Sequence, residues 1–178
     1  MTEPARRKRQ PQGALELVTH EFPPVYDSAS RVLILGSIPS PKSREQQFYY
    51  GHPRNRFWAV LAAVYGEAVP ADVPAKRAFL LRHQLALWDV LAQCRIHGAD
   101  DSSIADPVPN DLLLILQAAD IRAIFTTGKK AHALYQMYCL PKTGRQDICL
   151  PSTSPANCAV NFDALQKAYQ AVREACGN

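Results

Sequence analysis

Short apolar segments that alternate with helical segments constrain the fold of this chain more than any other feature of its sequence. Residues 31–36 read Arg-Val-Leu-Ile-Leu-Gly, which suits a strand buried on both faces. Similar strands are predicted at residues 85–91, 121–127 and 147–150. Because parallel strands are joined by crossover helices, this order predicts an α/β fold, a three-layer α/β/α sandwich around a central, mainly parallel four-stranded sheet.

The segments between these strands carry helical or polar patterns. Residues 95–110 contain several aspartates, serines and prolines, and they are predicted to form a polar loop. The helices predicted from hydrophobic spacing and end signals cover residues 55–65, 73–84, 111–119, 128–138 and 160–176.

The length and charge of the chain suit one domain with a basic tail. Residues 14–178 are predicted to form the domain, and residues 1–13, with four clustered cations, are predicted to be disordered. The formal net charge is +4, and the tail supplies most of it, so the charge is weak evidence for a polyanionic partner. The tail is either simply solvated or a basic arm that contacts phosphates. No secretory signal or membrane span is expected.

The five cysteines do not form a metal-binding pattern. Their number is odd, and no pair is spaced as Cys-x-x-Cys, so a metal site is not expected. Reduced, mostly buried thiols are typical of a cytoplasmic protein, which is the predicted location.

Two polar loops follow the first and last predicted strands. Ligands of such sheets bind at the carboxyl ends of the strands. Residues 36–58 contain three adjacent aromatic residues, several serines and four cations, which can hold phosphates and stack on an unpaired base. Residues 151–157 combine small hydroxyl residues with prolines, so their backbone can approach a phosphodiester. The alternatives are that the aromatic residues cover the core and that the second loop caps the last helix.

Together the two loops resemble the two motifs of the uracil-DNA glycosylase superfamily. Mismatch-specific members carry G-I-N-P-G and then H-P-x-N-R-F-W, where this chain has G-S-I-P-S at residues 36–40 and H-P-R-N-R-F-W at residues 52–58. Their second motif, P-N-P-S-G-L-S, is similar to P-S-T-S-P-A-N at residues 151–157. The residues between and around these motifs look most like the hypoxanthine-DNA glycosylase (DNA-deoxyinosine glycosylase) branch, and the resemblance covers the chain from about residue 31 onward.

The resemblance implies an enzyme that cuts a deaminated base from double-stranded DNA. Such an enzyme flips the base out of the duplex and hydrolyses its N-glycosidic bond. A single glycosylase domain, acting as a monomer without a cofactor, is implied. Hypoxanthine is the implied base, and uracil or xanthine stay open.

Two departures from the motifs affect the implied catalytic residues. Uracil-specific members have Asp or Asn at the third position of the first motif, where this chain has Ile38. Ser152 replaces the His or Asn that supports the leaving base. The hypoxanthine branch shares this loss, which implies that Asn55 takes over a catalytic role beside Ser152.

The resemblance also assigns binding roles to other residues of the two loops. Tyr50 aligns with the aromatic residue on which the flipped base stacks, and the backbone N–H groups near Ile38 and Ser40 can meet the base carbonyl as it gains charge. The residues implied to contact the DNA are Ser37, Lys42, Ser43, Ser154, Ala156 and Asn157.

Other polar residues have simpler interpretations. A structural role is predicted for His52, and structural pairing is predicted for Asp89 on its buried strand. Asp100, Asp101 and Asp106 are predicted to form a solvated acidic loop that faces away from DNA. Two other functions compete with the glycosylase: a nucleotide or sugar-phosphate hydrolase, for which no nucleophile elbow or phosphate loop is present, and a non-catalytic lesion-binding module.

Overall fold

Strands and helices alternate along most of the chain. The computed structural model describes residues 13–177. In chain order its elements are β1 (Glu16–Thr19), β2 (Val32–Gly36), α1 (Pro41–Gln46), α2 (Phe57–Tyr65), α3 (Val73–Arg82), β3 (Leu85–Asp89), β4 (Leu91–His97), β5 (Asp100–Pro109), α4 (Leu113–Ala118), β6 (Ala123–Thr127), α5 (Lys129–Leu134), a π-helical turn (Tyr135–Cys139), α6 (Leu140–Thr143), β7 (Ile148–Leu150) and α7 (Phe162–Ala175).

The central sheet contains four parallel strands in the order β3-β2-β6-β7. Every residue of β2 and β3 is buried, as expected for apolar strands covered on both faces. The register places Gly36 beside Asp89 and Thr127 beside Leu150. The predicted α/β class and its parallel four-stranded sheet are therefore confirmed, and the four strands end at one edge.

A second, antiparallel sheet corrects the prediction that residues 95–110 form a loop. Strands β1, β4 and β5 pair in the order β1-β4-β5, and β4 and β5 form a long hairpin. None of the residues of strand β5 is fully buried, and its pairing with β4 shifts register three times. Pairing with β4, rather than hydrophobic alternation, therefore holds β5 in place.

The first polar loop also contains a helix that its composition did not predict. Ser40 caps α1 by accepting a hydrogen bond from the Ser43 N–H at 3.3 Å, and Pro41 occupies the first turn, where its missing N–H costs nothing. The five predicted helices are all present, with shifted ends.

Several expectations concern the whole chain. The predicted disordered tail lies almost entirely outside the described residues, and the single domain over residues 14–178 stays a prediction. None of the helices in residues 13–177 is both long and apolar enough to cross a membrane. The five cysteines are free thiols.

Candidate active site

A cavity of about 880 Å³ lies at the edge where the parallel strands end. Gly36, Asp89 and Thr127, the last residues of β2, β3 and β6, line it together with Ser152, which follows β7. The volume lies within the roughly 300–1,000 Å³ typical of small-molecule sites. The cavity therefore stands where ligands of parallel sheets bind.

The two polar loops converge on this cavity. Of the eleven residues to which the sequence assigned roles, Lys42 alone is absent from the cavity lining; it lies on α1 and pairs with Glu45 at 2.9 Å on the solvent side. The ten that line the cavity are Ser37, Ile38, Ser40, Ser43, Tyr50, Asn55, Ser152, Ser154, Ala156 and Asn157.

Asn55 presents a hydrogen-bond donor to the cavity. Its Oδ1 accepts from the backbone N–H of Phe57 at 2.9 Å and from the hydroxyl of Thr153 at 2.8 Å. The backbone N–H can only donate, so it fixes which end of the amide is oxygen. Within residues 13–177 the Nδ2 group has no partner, so the amide offers the cavity N–H donors and no free acceptor.

Arg56 joins the second loop to the first. Its backbone N–H donates to the Thr153 carbonyl at 3.1 Å, and its guanidinium donates to the Asn157 carbonyl at 2.9 Å and to the Val160 carbonyl. The Asn157 side chain in turn donates to the Ser152 carbonyl at 2.9 Å. These hydrogen bonds to backbone carbonyls fix the position of the second loop relative to Asn55.

Tyr50 lines the cavity and has one ring face covered. Its ring stacks on Phe57 with centroids 3.8 Å apart and planes 11° apart. The hydroxyl is 2.8 Å from Thr127 Oγ1, and burial raises the pKa of this hydroxyl well above its usual value. The phenol is therefore neutral at physiological pH, and only the face opposite Phe57 is left for a ligand.

The serines of the first loop differ in what they can contribute. Ser43 is buried, and its hydroxyl accepts the Gly51 N–H at 3.0 Å and the Ser40 hydroxyl at 3.1 Å, so it shapes the loop. The backbone N–H groups of Ile38 and Ser40 donate to no protein group in the described part of the chain. These two N–H groups are available to a ligand.

Gly128 allows the second loop to approach β6 closely. It has a left-handed backbone, and a Cβ at this position would lie 3.1 Å from the Cβ of Ser152. A larger residue would be strained here and would displace Ser152.

Three aspartates line the cavity, Asp89, Asp100 and Asp101, and each of them was predicted from the sequence to have another role. Asp89 does form the predicted structural pair, with His20 Nε2 at 2.8 Å, yet it also lines the cavity. Asp101 was predicted to be solvated and to face away from DNA, and this is wrong. It lies near the tip of the β4–β5 hairpin, lines the cavity and accepts the Ser37 hydroxyl at 2.8 Å.

The environment of Asp101 favours its protonated form. Burial raises the pKa of this carboxyl, and the negative charge of Asp89 raises it further, while the hydrogen bond from Ser37 partly opposes both.

The sequence does contain a turn signal between β4 and β5, because a glycine, Gly98, follows His97. Gly98 has a left-handed backbone in the structure. His52 has the predicted structural role, since its Nδ1 accepts the Arg54 N–H at 3.1 Å.

The fold and cavity define an α/β protein with a ligand site between two loops at the carboxyl edge of a parallel sheet. The model of the uracil DNA glycosylase superfamily matches residues 23–175. The chain therefore belongs to the uracil DNA glycosylase superfamily.

Named relatives and a solved structure agree with this membership. A hypoxanthine DNA glycosylase of Methanosarcina acetivorans is 34% identical over 143 residues, which cover 79% of this chain and 89% of the relative. One of Methanosarcina barkeri is 34% identical over 138 residues, covering 76% and 86%. A solution NMR structure from Methanosarcina acetivorans, whose name proposes a uracil DNA glycosylase, has a TM-score of 0.75 and 32% identity, covering 88% of this chain and 97% of that one.

Proposed function

We propose that this protein is a DNA glycosylase that removes hypoxanthine from double-stranded DNA and leaves an abasic site. The observation that carries the proposal is the convergence of both motif loops on one cavity, into which Asn55 presents its amide N–H groups beside the Tyr50 ring. The names of the two Methanosarcina relatives support hypoxanthine as the base.

The proposed reaction begins with the deaminated base turned out of the duplex. Unstacking costs a few kcal/mol, and less for a mispaired base. Stacking on the free face of Tyr50 returns about 1–3 kcal/mol. The base thereby lies in the cavity, against the donors of the first loop.

Bond cleavage then depends on stabilising the leaving base. As the bond between C1′ of the sugar and N9 of the base breaks, its electron pair moves onto the base. Donors on Asn55, Ile38 and Ser40 meet this negative charge, which is electrostatic stabilisation by preorganised N–H groups. Ser152 is proposed to support the same base from the second loop.

Water completes the hydrolysis after the bond has largely broken. Asn55 Oδ1 is already occupied by two donors, so Asn55 is poorly placed to accept a proton from water. The oxocarbenium-like sugar is electrophilic enough to be attacked by weakly activated water. As the new C1′–O bond forms, the water releases one proton to solvent, and the departing base anion takes up a proton from solvent. The reaction as proposed requires no cofactor.

The rim of the cavity is proposed to contact the DNA backbone. Ser37, Ser154, Ala156 and Asn157 line the cavity, while Lys42 carries a charge on the nearby α1 helix. Backbone and hydroxyl donors of this kind position a duplex without reading its sequence.

We also propose that the protein acts as a monomer and is located in the cytoplasm. The five free thiols suit a reducing compartment.

The test uses labelled duplexes that each contain one deoxyinosine, deoxyuridine or deoxyxanthosine. Each duplex is incubated with the protein and then treated with alkali, which breaks the strand at abasic sites. We expect breaks at deoxyinosine first and fastest. Binding without a break on any of the three duplexes would contradict the glycosylase and favour a lesion-binding module.

A further inference from the structure

The carboxylate of Asp89 lies in the cavity and has no part in the reaction described above. Asp89 is the last residue of β3 and is only 5% exposed, yet it lines the cavity. Burying a carboxylate costs free energy unless its oxygens accept hydrogen bonds. We therefore expect a buried carboxylate that lines a cavity to accept a hydrogen bond from a ligand.

Hydrogen bonds give the two oxygens of Asp89 different roles. Oδ2 lies 2.8 Å from Nε2 of His20, whose side chain is 2% exposed. The other ring nitrogen, Nδ1, is buried without a hydrogen-bond partner in residues 13–177. A carboxylate oxygen can only accept, so the Nε2–H of His20 donates to Asp89 and occupies Oδ2.

The second oxygen, Oδ1, is available to a ligand. It accepts no hydrogen bond within the described residues and is not among the buried atoms that lack a partner. A Cβ on Gly36 would lie 2.4 Å from this oxygen and 3.2 Å from the Tyr50 hydroxyl oxygen. Both oxygens therefore border the same small space, and a base stacked on Tyr50 would bring an edge toward Asp89.

Deamination changes the edge of the base that such an acceptor would meet. It replaces an amino group with a carbonyl and places a hydrogen on the neighbouring ring nitrogen. Adenine has a lone pair at N1, whereas hypoxanthine has an N–H. Cytosine and uracil differ in the same way at N3. The deaminated bases thus share a lactam, a carbonyl beside an N–H.

We propose that Asp89 recognises the deaminated state of the flipped base by accepting a hydrogen bond from the lactam N–H. Asn55, which offers only donors, binds the adjacent carbonyl. This inference rests on the proposed glycosylase function. Adenine or cytosine would turn a lone pair toward the carboxylate, and sites that leave buried polar groups unpaired reject such analogues by about 10⁴–10⁵-fold. Guanine and thymine also contain the lactam, so Asp89 does not exclude them.

The protein-side experiment compares Asp89→Asn with the matched control Asp147→Asn. Asp147 is also a buried carboxylate bound to a histidine, with its Oδ2 2.8 Å from His132 Nδ1, but it lies outside the cavity lining. Single-turnover rates are measured on duplexes with one deoxyinosine or one deoxynebularine, whose purine has a lone pair at N1 and no carbonyl.

The expected result is a change in base preference and not only in rate. The amide that replaces the carboxylate would be free to donate to a ring nitrogen, so Asp89→Asn should lower the deoxyinosine-to-deoxynebularine rate ratio by about 100-fold or more. Asp147→Asn should leave the ratio unchanged. A loss by the same factor on both bases would overturn the proposal, because it would place Asp89 in the chemistry of the sugar or water.

A substrate-side experiment covers the case in which Asp89→Asn does not fold. The unchanged protein is given a duplex with 1-methyldeoxyinosine, which keeps the carbonyl and lacks the N–H. Its base should be released about 100-fold more slowly than hypoxanthine. Equal rates would overturn the role of Asp89 but leave the glycosylase intact, whereas no release from any duplex would overturn the glycosylase and this inference with it.

Discussion

The two walls of the cavity are built in different ways. The strand-end wall contains Tyr50, Asn55 and Asp89, and each of these side chains is bound to a partner on another element. The hairpin wall, residues 96–102, is linked to the first loop by the bond between Ser37 and Asp101. Gly98, Ala99 and Asp100 at its tip are exposed.

This difference indicates that the strand-end wall controls the chemistry and that the hairpin wall controls access to the cavity. Polar groups that aid cleavage must be fixed before the reaction, and the interlocked side chains of the strand-end wall meet that requirement. An exposed hairpin tip with few packed contacts is easier to displace. We expect base removal to depend strongly on the strand-end wall and weakly on the hairpin wall.

The largest effect should come from Asn55→Asp, which changes one group of the strand-end wall. One carboxylate oxygen can still accept from Phe57 and Thr153, so the fold should be retained. The donor that faces the cavity becomes an acceptor, and the base-removal rate should fall by about 10²–10³-fold. Single-turnover kinetics and thermal unfolding measure the two quantities. A variant that stayed active would show that the amide N–H donor of Asn55 is not needed to stabilise the leaving base.

Tyr50→Ala should have the next largest effect, since it removes the ring proposed to stack on the base. Loss of about 1–3 kcal/mol of stacking corresponds to roughly 5- to 150-fold weaker binding of the flipped base. The control is Tyr50→Phe, which keeps the ring, and Thr127 can then turn to the Leu35 carbonyl 3.4 Å away. Duplex binding and single-turnover rates are compared. If the alanine variant matched the phenylalanine variant, Tyr50 would not contact the base.

Arg56→Lys tests the link between the two loops. Lysine lacks the fork with which the guanidinium reaches the carbonyls of Asn157 and Val160. Loss of one such hydrogen bond should lower the free energy of unfolding by about 1 kcal/mol and weaken duplex binding severalfold. Urea unfolding measures stability, with Arg54→Lys at an exposed position as control. Equal stability of both variants would mean that Arg56 does not hold the second loop.

The same contrast explains what the sequence could predict. The parallel strands have continuous apolar runs, and the motifs follow those strands, so the converging loops were predictable. The hairpin was not, because the sequence of β5 shows no regular apolar alternation and the strand depends on irregular pairing with β4. The bond between His20 and Asp89 joins residues 69 positions apart, and nothing local in the sequence indicates it.

The smallest effect should come from Asp101→Asn on the hairpin wall, and it should be stabilising. Asparagine can still accept from Ser37 but carries no charge. Because burial raises the pKa of Asp101 in the folded protein above the ordinary 3.8, folding favours the protonated form. The wild type therefore loses stability as the pH rises from 3.8, the pKa in the unfolded chain, to the higher pKa in the folded protein. The variant should be the more stable protein at pH 7, and the difference should vanish in acid below about 3.8, where both side chains are neutral.

Asp100→Asn, one residue away, provides a control with the opposite sign. Hydrogen bonds from Ser102 lower the pKa of Asp100, so its charge stabilises the fold at neutral pH and that contribution is lost as the pH falls. Urea unfolding of both variants and the wild type from pH 3 to pH 7 therefore compares a half-buried with an exposed carboxylate on one hairpin. If Asp101→Asn were less stable than the wild type at pH 7, the Ser37 bond to a charged Asp101 would outweigh burial. The hairpin wall would then be fixed as firmly as the strand ends.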